Sequence, residues 1–263
     1  MSKDFINKNE WALILGGSSG LGLASAKKLA LHGMNIIIVH RNRKSEMKQI
    51  DTDFNEIREI GIEFLSFNID LLKEDKQKEV ITNIKNTIGN GLIKTIIHSV
   101  AKGNLKPMVD ATHVLKNDDF RLTIDAMAIS LYDWVSAVFK AQLFTKDTRV
   151  ISFTSEGNTK AWTNYAAVSA AKVALEAISR SIALEFAPYG VKANCLQPGA
   201  VDTQSLRMIP GYEQLIANSL QRNPFNRITT PEDVANAVYL LCKDEAAWIN
   251  GCIIPVNGGE HLN

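Results

Sequence analysis

Trp11-Ala12-Leu13-Ile14-Leu15-Gly16-Gly17-Ser18-Ser19-Gly20-Leu21-Gly22-Leu23 is the stretch from which the fold follows. Its first five residues are apolar and form a run of strand length. From Leu21 to Leu31 the apolar residues recur at helical spacing until Gly33 stops them. Glycines at 16, 20 and 22 lie at the junction. Without a Cβ the chain can turn sharply and approach a bound group closely, and the amide N–H groups that open a helix favour an anion. Strand, glycine turn and helix in that order point to a site for the pyrophosphate of a dinucleotide, with Gly16, Ser18, Ser19, Gly20, Leu21 and Gly22 as its contacts. The spacing is Gly-x-x-x-Gly-x-Gly, and such a turn taken alone also suits a helix cap or a close helix-to-strand contact.

Outward from this turn, short β-type runs alternate with helical stretches. Strands are predicted over Met34 to Val39, Ile62 to Phe67, Leu92 to His98, Arg149 to Phe153, Val191 to Leu196 and Gly251 to Val256. Helices are predicted over Glu46 to Ile60, Lys73 to Ile88, Asp118 to Phe144 and Asn164 to Ala187, with one more starting at Thr230-Pro231-Glu232-Asp233. Ser99 to Asn117 reads as a loop over the sheet edge, and Thr203 to Arg227, broken by Pro210, Gly211 and Pro224, as a mobile excursion; its Leu206, Met208, Ile209, Leu215 and Ile216 would serve either as a substrate lid or as the apolar face on which a surface helix packs. This pattern predicts one α/β domain spanning residues 1–263, a Rossmann-type doubly wound parallel sheet of about seven strands with helices on both faces.

The end of the second strand bears on the choice of cofactor. An acidic residue there would bind the ribose hydroxyls of NAD. The chain instead has His40-Arg41-Asn42-Arg43-Lys44, and guanidinium groups suit a 2′-phosphate, so NADPH is favoured over NADH, with Arg41 as the contact. Asp70, ending the third strand, is placed to bond the adenine edge or to cap the next helix.

At the start of the long helix stands Asn164-Tyr165-Ala166-Ala167-Val168-Ser169-Ala170-Ala171-Lys172. Seven residues make about two turns, so Tyr165 and Lys172 share a face ~10.5 Å apart along the axis, a gap that two long side chains can close around one ligand. Alone the pair would mean little; the upstream glycine turn makes it informative.

With these pieces in place the chain resembles the short-chain dehydrogenase/reductase family over nearly its whole length. The glycine turn, Asp70, the Tyr165 and Lys172 helix, Asn194 through Thr203, and Val256-Asn257-Gly258-Gly259 carry the resemblance. Most members space Tyr and Lys by four, where this chain has Ser169. Tyr-x6-Lys is similar to the enoyl-acyl carrier protein reductase branch, as are His98-Ser99-Val100-Ala101 and Asp125 to Tyr132. Ile151 to Ser155, through Asn164-Tyr165, resembles that branch's NADPH-using reductases known from bacilli. Three positions depart from the pattern. Met127 stands where ordinary members keep a catalytic Asn, Ser155 where the best-known enoyl reductases carry a second tyrosine, and Gln197-Pro198-Gly199 is closer to the ordinary family.

The resemblance implies a catalytic set of Tyr165, Lys172 and Ser155. It also implies Leu71, Ser99, Val201 and Thr203, together with Lys172, as further cofactor contacts. The expected reaction is NADPH-dependent reduction of the 2,3 double bond of an enoyl thioester on acyl carrier protein, in fatty-acid biosynthesis. Two alternatives stand beside it, a reductase of a ketone, ketoacyl thioester or alcohol, and a non-catalytic nucleotide-binding regulator. A homotetramer formed through the long helices and the C-terminal strand is implied too.

Composition excludes other classes. Lys and Arg total 29 against 28 acidic residues, so no basic field for nucleic acid exists. Cys195, Cys242 and Cys252 are widely spaced, signal neither metal nor disulfides, and read as buried thiols. His32, His113 and His261 read as solvent or capping residues, and His98 as a strand-end histidine that either contacts the cofactor or is a satisfied buried residue. Met1 to Glu10 is polar and no run approaches the ~20 apolar residues that span a bilayer, so a cytoplasmic protein with no membrane contact is expected.

Overall fold

The computed structural model describes residues 4–263; the polar start predicted for Met1 to Glu10 falls partly outside them. Seven strands form one sheet: β1 (Glu10–Leu15), β2 (Asn35–His40), β3 (Phe64–Asn68), β4 (Leu92–His98), β5 (Phe144–Phe153), β6 (Val191–Pro198) and β7 (Ile253–Val256). Every pairing is parallel and the order is β3-β2-β1-β4-β5-β6-β7. The connections run outward from β1 to β3, then cross back to β4 beside β1. The carboxyl ends of β1 and β4 therefore flank the switch point where such sheets bind ligands. Rossmann-type architecture is the observed fold, as the alternating pattern predicted.

The helices divide between two faces. On one lie α1 (Gly20–Leu31), α2 (Met47–Arg58) and α9 (Pro231–Cys242); on the other lie α3 (Glu74–Thr87), α5 (Ser130–Lys140) and α6 (Ala166–Glu185). Successive strand residues serve opposite faces. Leu13, Leu15, Ile96 and Val150 pack with Val80, Trp134 and Leu175, whereas Ile14, Ile38, Ile97 and Ile151 pack with Leu29, Phe54 and Val238. A strand buried on both sides has no polar alternation, which is why β1, β2 and β4 read as near-continuous apolar runs.

Three boundaries differ from the sequence expectation. The predicted helix 118–144 is α4 (Asn117–Ile124), a π turn over Asp125–Ile129, and α5, which stops where Gln142 takes φ 61°; β5 then starts at Phe144, paired with Ile93, not at Arg149. The stretch Asn117–Lys140 is 24 residues and long and apolar enough to cross a membrane by length and composition, contrary to the expectation of no such run, but half of its apolar window is buried in the fold. The excursion after β6 is also more regular than expected: it holds α7 (Gln204–Arg207) and α8 (Tyr212–Arg222).

Candidate active site

A cleft of about 880 Å³ opens over the carboxyl ends of β1, β4, β5 and β6. Gly16, Ser18, Ser19, Gly20 and Leu21 form one wall. The glycines are there for different reasons. Gly16 takes φ 83°, and a Cβ on it would lie 2.5 Å from the Ser99 carbonyl oxygen; one on Gly22, which sits beneath the wall, would lie 2.3 Å from the Gly16 oxygen. Gly20, at φ 53°, would meet only the Thr203 side chain at 3.4 Å, so its side towards the cleft is open. Ser19 precedes α1 without a side-chain capping bond, which leaves the first-turn N–H groups facing the cleft for an anion. These features fit a bound pyrophosphate. Gly16→Ala is expected to cost about 1–3 kcal/mol of stability from the forbidden conformation and to weaken binding of a dinucleotide at least tenfold, read by urea unfolding and a fluorescence titration with the dinucleotide.

Arg41, Arg43, Asp70 and Leu71 line the far end, and Lys44 does not. The two residues predicted to meet opposite sides of the adenosine meet each other instead: Arg41 Nη1 donates to Asp70 Oδ2 at 2.7 Å. Asp70 Oδ1 also accepts the Leu72 N–H at 3.2 Å, closing the turn after β3; Asp70 does not cap the next helix, α3, whose N-cap is Lys73, but it does line the cleft.

The near end is built by β4, β5 and the start of α6. Ser99, Ser155, Tyr165, Lys172, Val201 and Thr203 all line the cleft. The Tyr165 hydroxyl lies 3.2 Å from Ser155 Oγ, and Trp162 packs on its ring with centroids 5.0 Å apart. Burial pushes the phenol above its ordinary pKa and the Ser155 bond draws it partly back, so at neutral pH the group holds its proton. Lys172 is buried and donates from Nζ to the Phe153 carbonyl at 2.6 Å. Desolvation pulls its ammonium down to about 8, against the opposing pull of Cys195 and Glu176.

Beneath this pair runs a polar layer that the sequence reading missed. Glu176, buried one turn beyond Lys172, accepts from Thr154 Oγ1 and, at 2.5 Å, from Asn158 Nδ2, tying α6 to the turn after β5. Its spacing of four from Lys172 was the available signal. His98 is buried; its Nε2 lies 2.8 Å from Ser130 Oγ, and Nδ1 is without a partner among the described residues. Burial, reinforced by the Lys172 charge, pulls His98 down to about 3, so it is neutral.

The third wall is apolar. Met127 from the π turn, Val168, Leu206 and Ile209 cluster with Tyr165. Met208 also lines the cleft, and Leu215 packs on the same cluster. Ile216, expected to join them, lies outside both. Gly103 closes the floor, where a Cβ would stand 2.5 Å from Val168 Cγ2. One further expectation is corrected: Cys252 is exposed at the edge strand rather than buried. His32 is the C-cap of α1, in line with the capping reading, and its ring is buried and stacked on Tyr239 at 3.8 Å.

The model of the family described as enoyl-(acyl carrier protein) reductase matches residues 16–261. The chain is 26% identical over 258 residues to an enoyl-[acyl-carrier-protein] reductase [NADH] FabI of Enterococcus faecalis, covering 97% of this chain and 98% of that one. It is 27% identical over 256 residues to a 3-oxoacyl-[acyl-carrier-protein] reductase FabG of Pseudomonas aeruginosa, covering 96% and 97%. A solved enoyl-[acyl-carrier-protein] reductase (NADH) of Aquifex aeolicus superposes with a TM-score of 0.84 at 22% identity, covering 97% of each chain, which bears on fold alone.

Proposed function

The chain belongs to the short-chain dehydrogenase/reductase family, in its enoyl-(acyl carrier protein) reductase group, and is an NAD(P)H-dependent oxidoreductase; from that premise we propose that it reduces the 2,3 double bond of enoyl thioesters carried on acyl carrier protein. The observation that carries the reading is the protonated, buried phenol of Tyr165 in a wall of Met127, Val168, Leu206 and Ile209, two helical turns from the buried Lys172. An acyl chain suits that wall, and the thioester oxygen would lie at the phenol.

When bound, the nicotinamide supplies a hydride to C3. The electron pair of the double bond then moves towards the thioester oxygen, and Tyr165 donates its hydrogen bond to the developing enolate. C2 then takes a proton from solvent as the enolate collapses back to the thioester carbonyl, which completes the addition of two hydrogens. Lys172, anchored at the Phe153 carbonyl and lining the same cleft, would hold the ribose of the nicotinamide half with its remaining N–H groups. Ser155 orients the hydroxyl.

NADPH is the proposed cofactor, because the stretch that follows β2 brings the guanidinium groups of Arg41 and Arg43 to the cleft, while the carboxylates there, Glu46 and Asp70, are already engaged by the Arg43 N–H and by Arg41. The reading also places the protein in the cytoplasm as a homotetramer acting in fatty-acid biosynthesis. A second reading, reduction of a ketone or 3-oxoacyl thioester, is favoured by Gln197-Pro198-Gly199 and by the FabG relative.

The protein mixed with NADPH or NADH and with crotonyl- or acetoacetyl-thioester, followed at the cofactor absorbance, tests all of this. Oxidation of NADPH with the crotonyl substrate, at least tenfold faster than with NADH, is expected. Turnover confined to acetoacetyl-thioester would move the assignment to the second reading.

A further inference from the structure

The turn between β5 and α6 carries a carboxylate that the proposed reaction does not use. Glu156 stands between two residues that seat the tyrosine: Ser155, whose hydroxyl reaches the phenol at 3.2 Å, and Gly157, where a Cβ would come within 2.5 Å of the Tyr165 ring. Its own side chain points the other way and is gripped. Arg222, the last residue of α8, donates from Nη1 to Glu156 Oε1 at 3.0 Å and from Nη2 to Oε2 at 2.9 Å. Lys160 Nζ donates to the same Oε1 at 2.5 Å. Burial pushes the Glu156 carboxyl up, but Arg222 and Lys160 outweigh it and hold the group below its ordinary pKa, so the pair is ionised at neutral pH.

The guanidinium has a second partner. Arg222 Nη2 donates to Glu260 Oε1 at 2.6 Å, and that oxygen also accepts from Ser219 Oγ at 2.7 Å. Glu260 therefore anchors α8 to the C-terminal turn, while Glu156 connects the same helix to the seat of the tyrosine. A planar guanidinium in a two-pronged pair fixes orientation as well as distance, which a lysine at one oxygen does not. The segment that ends in α8 is also the one whose Leu206 and Ile209 pack with Tyr165.

We propose that Arg222 and Glu156 are positioning residues for Tyr165: their two-pronged pair fixes the 155–157 turn, and through it the direction of the phenol, to the helix segment that covers the cleft. Substrate wall and proton donor are thereby set by a single ion pair. The inference rests on Tyr165 as the donor and is independent of which thioester is reduced.

The test compares Glu156→Gln, Arg222→Gln and Glu260→Gln at temperatures where circular dichroism shows each variant fully folded. With the thioester that the unaltered protein turns over, E156Q and R222Q are expected to lower kcat about tenfold with KM for NADPH within twofold. E260Q, which keeps a side-chain oxygen to accept from Arg222 and Ser219 and leaves both prongs of the Arg222–Glu156 pair in place, is expected to lower Tm yet keep kcat within twofold. A second readout needs no substrate. The part of the ultraviolet phenol titration that disappears in Tyr165→Phe reports this phenol. Around it Lys172 is the other titratable group of α6 lining the cleft, α8 brings the phenol of Tyr212 to the same cluster, and Met127, Leu206 and Ile209 present none. Losing the Ser155 bond removes what draws the phenol down, so its midpoint should rise in E156Q and R222Q and stay put in E260Q. Unchanged kcat and midpoint in E156Q, or equal changes in E260Q, would overturn the proposal. If neither thioester is turned over, the enoyl assignment fails while the phenol titration still decides this one.

Discussion

Tyr165→Phe is expected to lower kcat by about 10²- to 10⁴-fold, the range for removing a positioned proton donor, while NADPH affinity stays within twofold. The hydroxyl is the only atom removed. Its partner is Ser155 Oγ at 3.2 Å, a weak bond whose loss leaves a hydroxyl able to turn to the Gly157 N–H it already accepts at 3.1 Å, so the fold should hardly respond. The aromatic ring, packed on Trp162 and Gly157, is retained and keeps the cleft closed on that side. Steady-state rates against binding titrations on the same preparation separate the two effects. A variant with kcat within threefold of the unaltered protein would remove Tyr165 from the chemistry.

Asp147→Asn should produce the largest loss of stability, at the opposite pole of the sheet. Asp147 Oδ2 accepts from Lys94 Nζ and Arg149 Nη2, both at 2.8 Å, and Oδ1 from Lys192 Nζ at 2.7 Å. Arg149 and Lys94 are buried, so the amide would leave two cations inside the protein without their shared counter-charge. Breaking a buried pair costs about 3–5 kcal/mol, and the lower end applies because Asp147 keeps 28% of its side chain in water. Urea unfolding at pH 7 measures it.

The pH dependence follows from the sign of the shift. Burial alone would raise the Asp147 carboxyl, but Lys192, Lys94 and Arg149 bring it down to about 2 from 3.8. A carboxylate whose pKa is lower in the folded state binds more protons unfolded. Its stabilisation is complete above 3.8 and disappears as the pH falls towards about 2. The difference in stability between the unaltered protein and D147N should shrink across that window, while kcat at pH 7 is unaffected.

Much of this molecule can be read from its residues, and what cannot has physical reasons. The β1 turn and the alternation of strand and helix are local periodicities; Tyr165 and Lys172 stand out by their spacing beside the glycine turn, and their roles come from the family resemblance. The break inside 117–140 was hidden because Ile124, Met127 and Leu131 continue an apolar helical pattern straight through the π turn. β5 was shortened because Lys146-Asp147-Thr148 looks polar, although the Asp147 and Thr148 side chains are claimed by Lys94, Lys192 and Ile93 from neighbouring strands. Arg41 and Asp70 were each recognised but not as partners, since nothing local in a chain records a contact across 29 residues. The Arg222 pair spans 66 and is invisible for the same reason.

The contact between Arg41 and Asp70 also makes the protein its own competitor. A free arginine would offer a 2′-phosphate its full electrostatic attraction; here Asp70, seated at 2.7 Å on Nη1, offsets part of that charge and leaves the other guanidinium N–H groups to meet a ligand. On the proposed reading of the cofactor, preference between its phosphorylated and unphosphorylated forms would therefore be a subtraction, set by Asp70 as well as by Arg41.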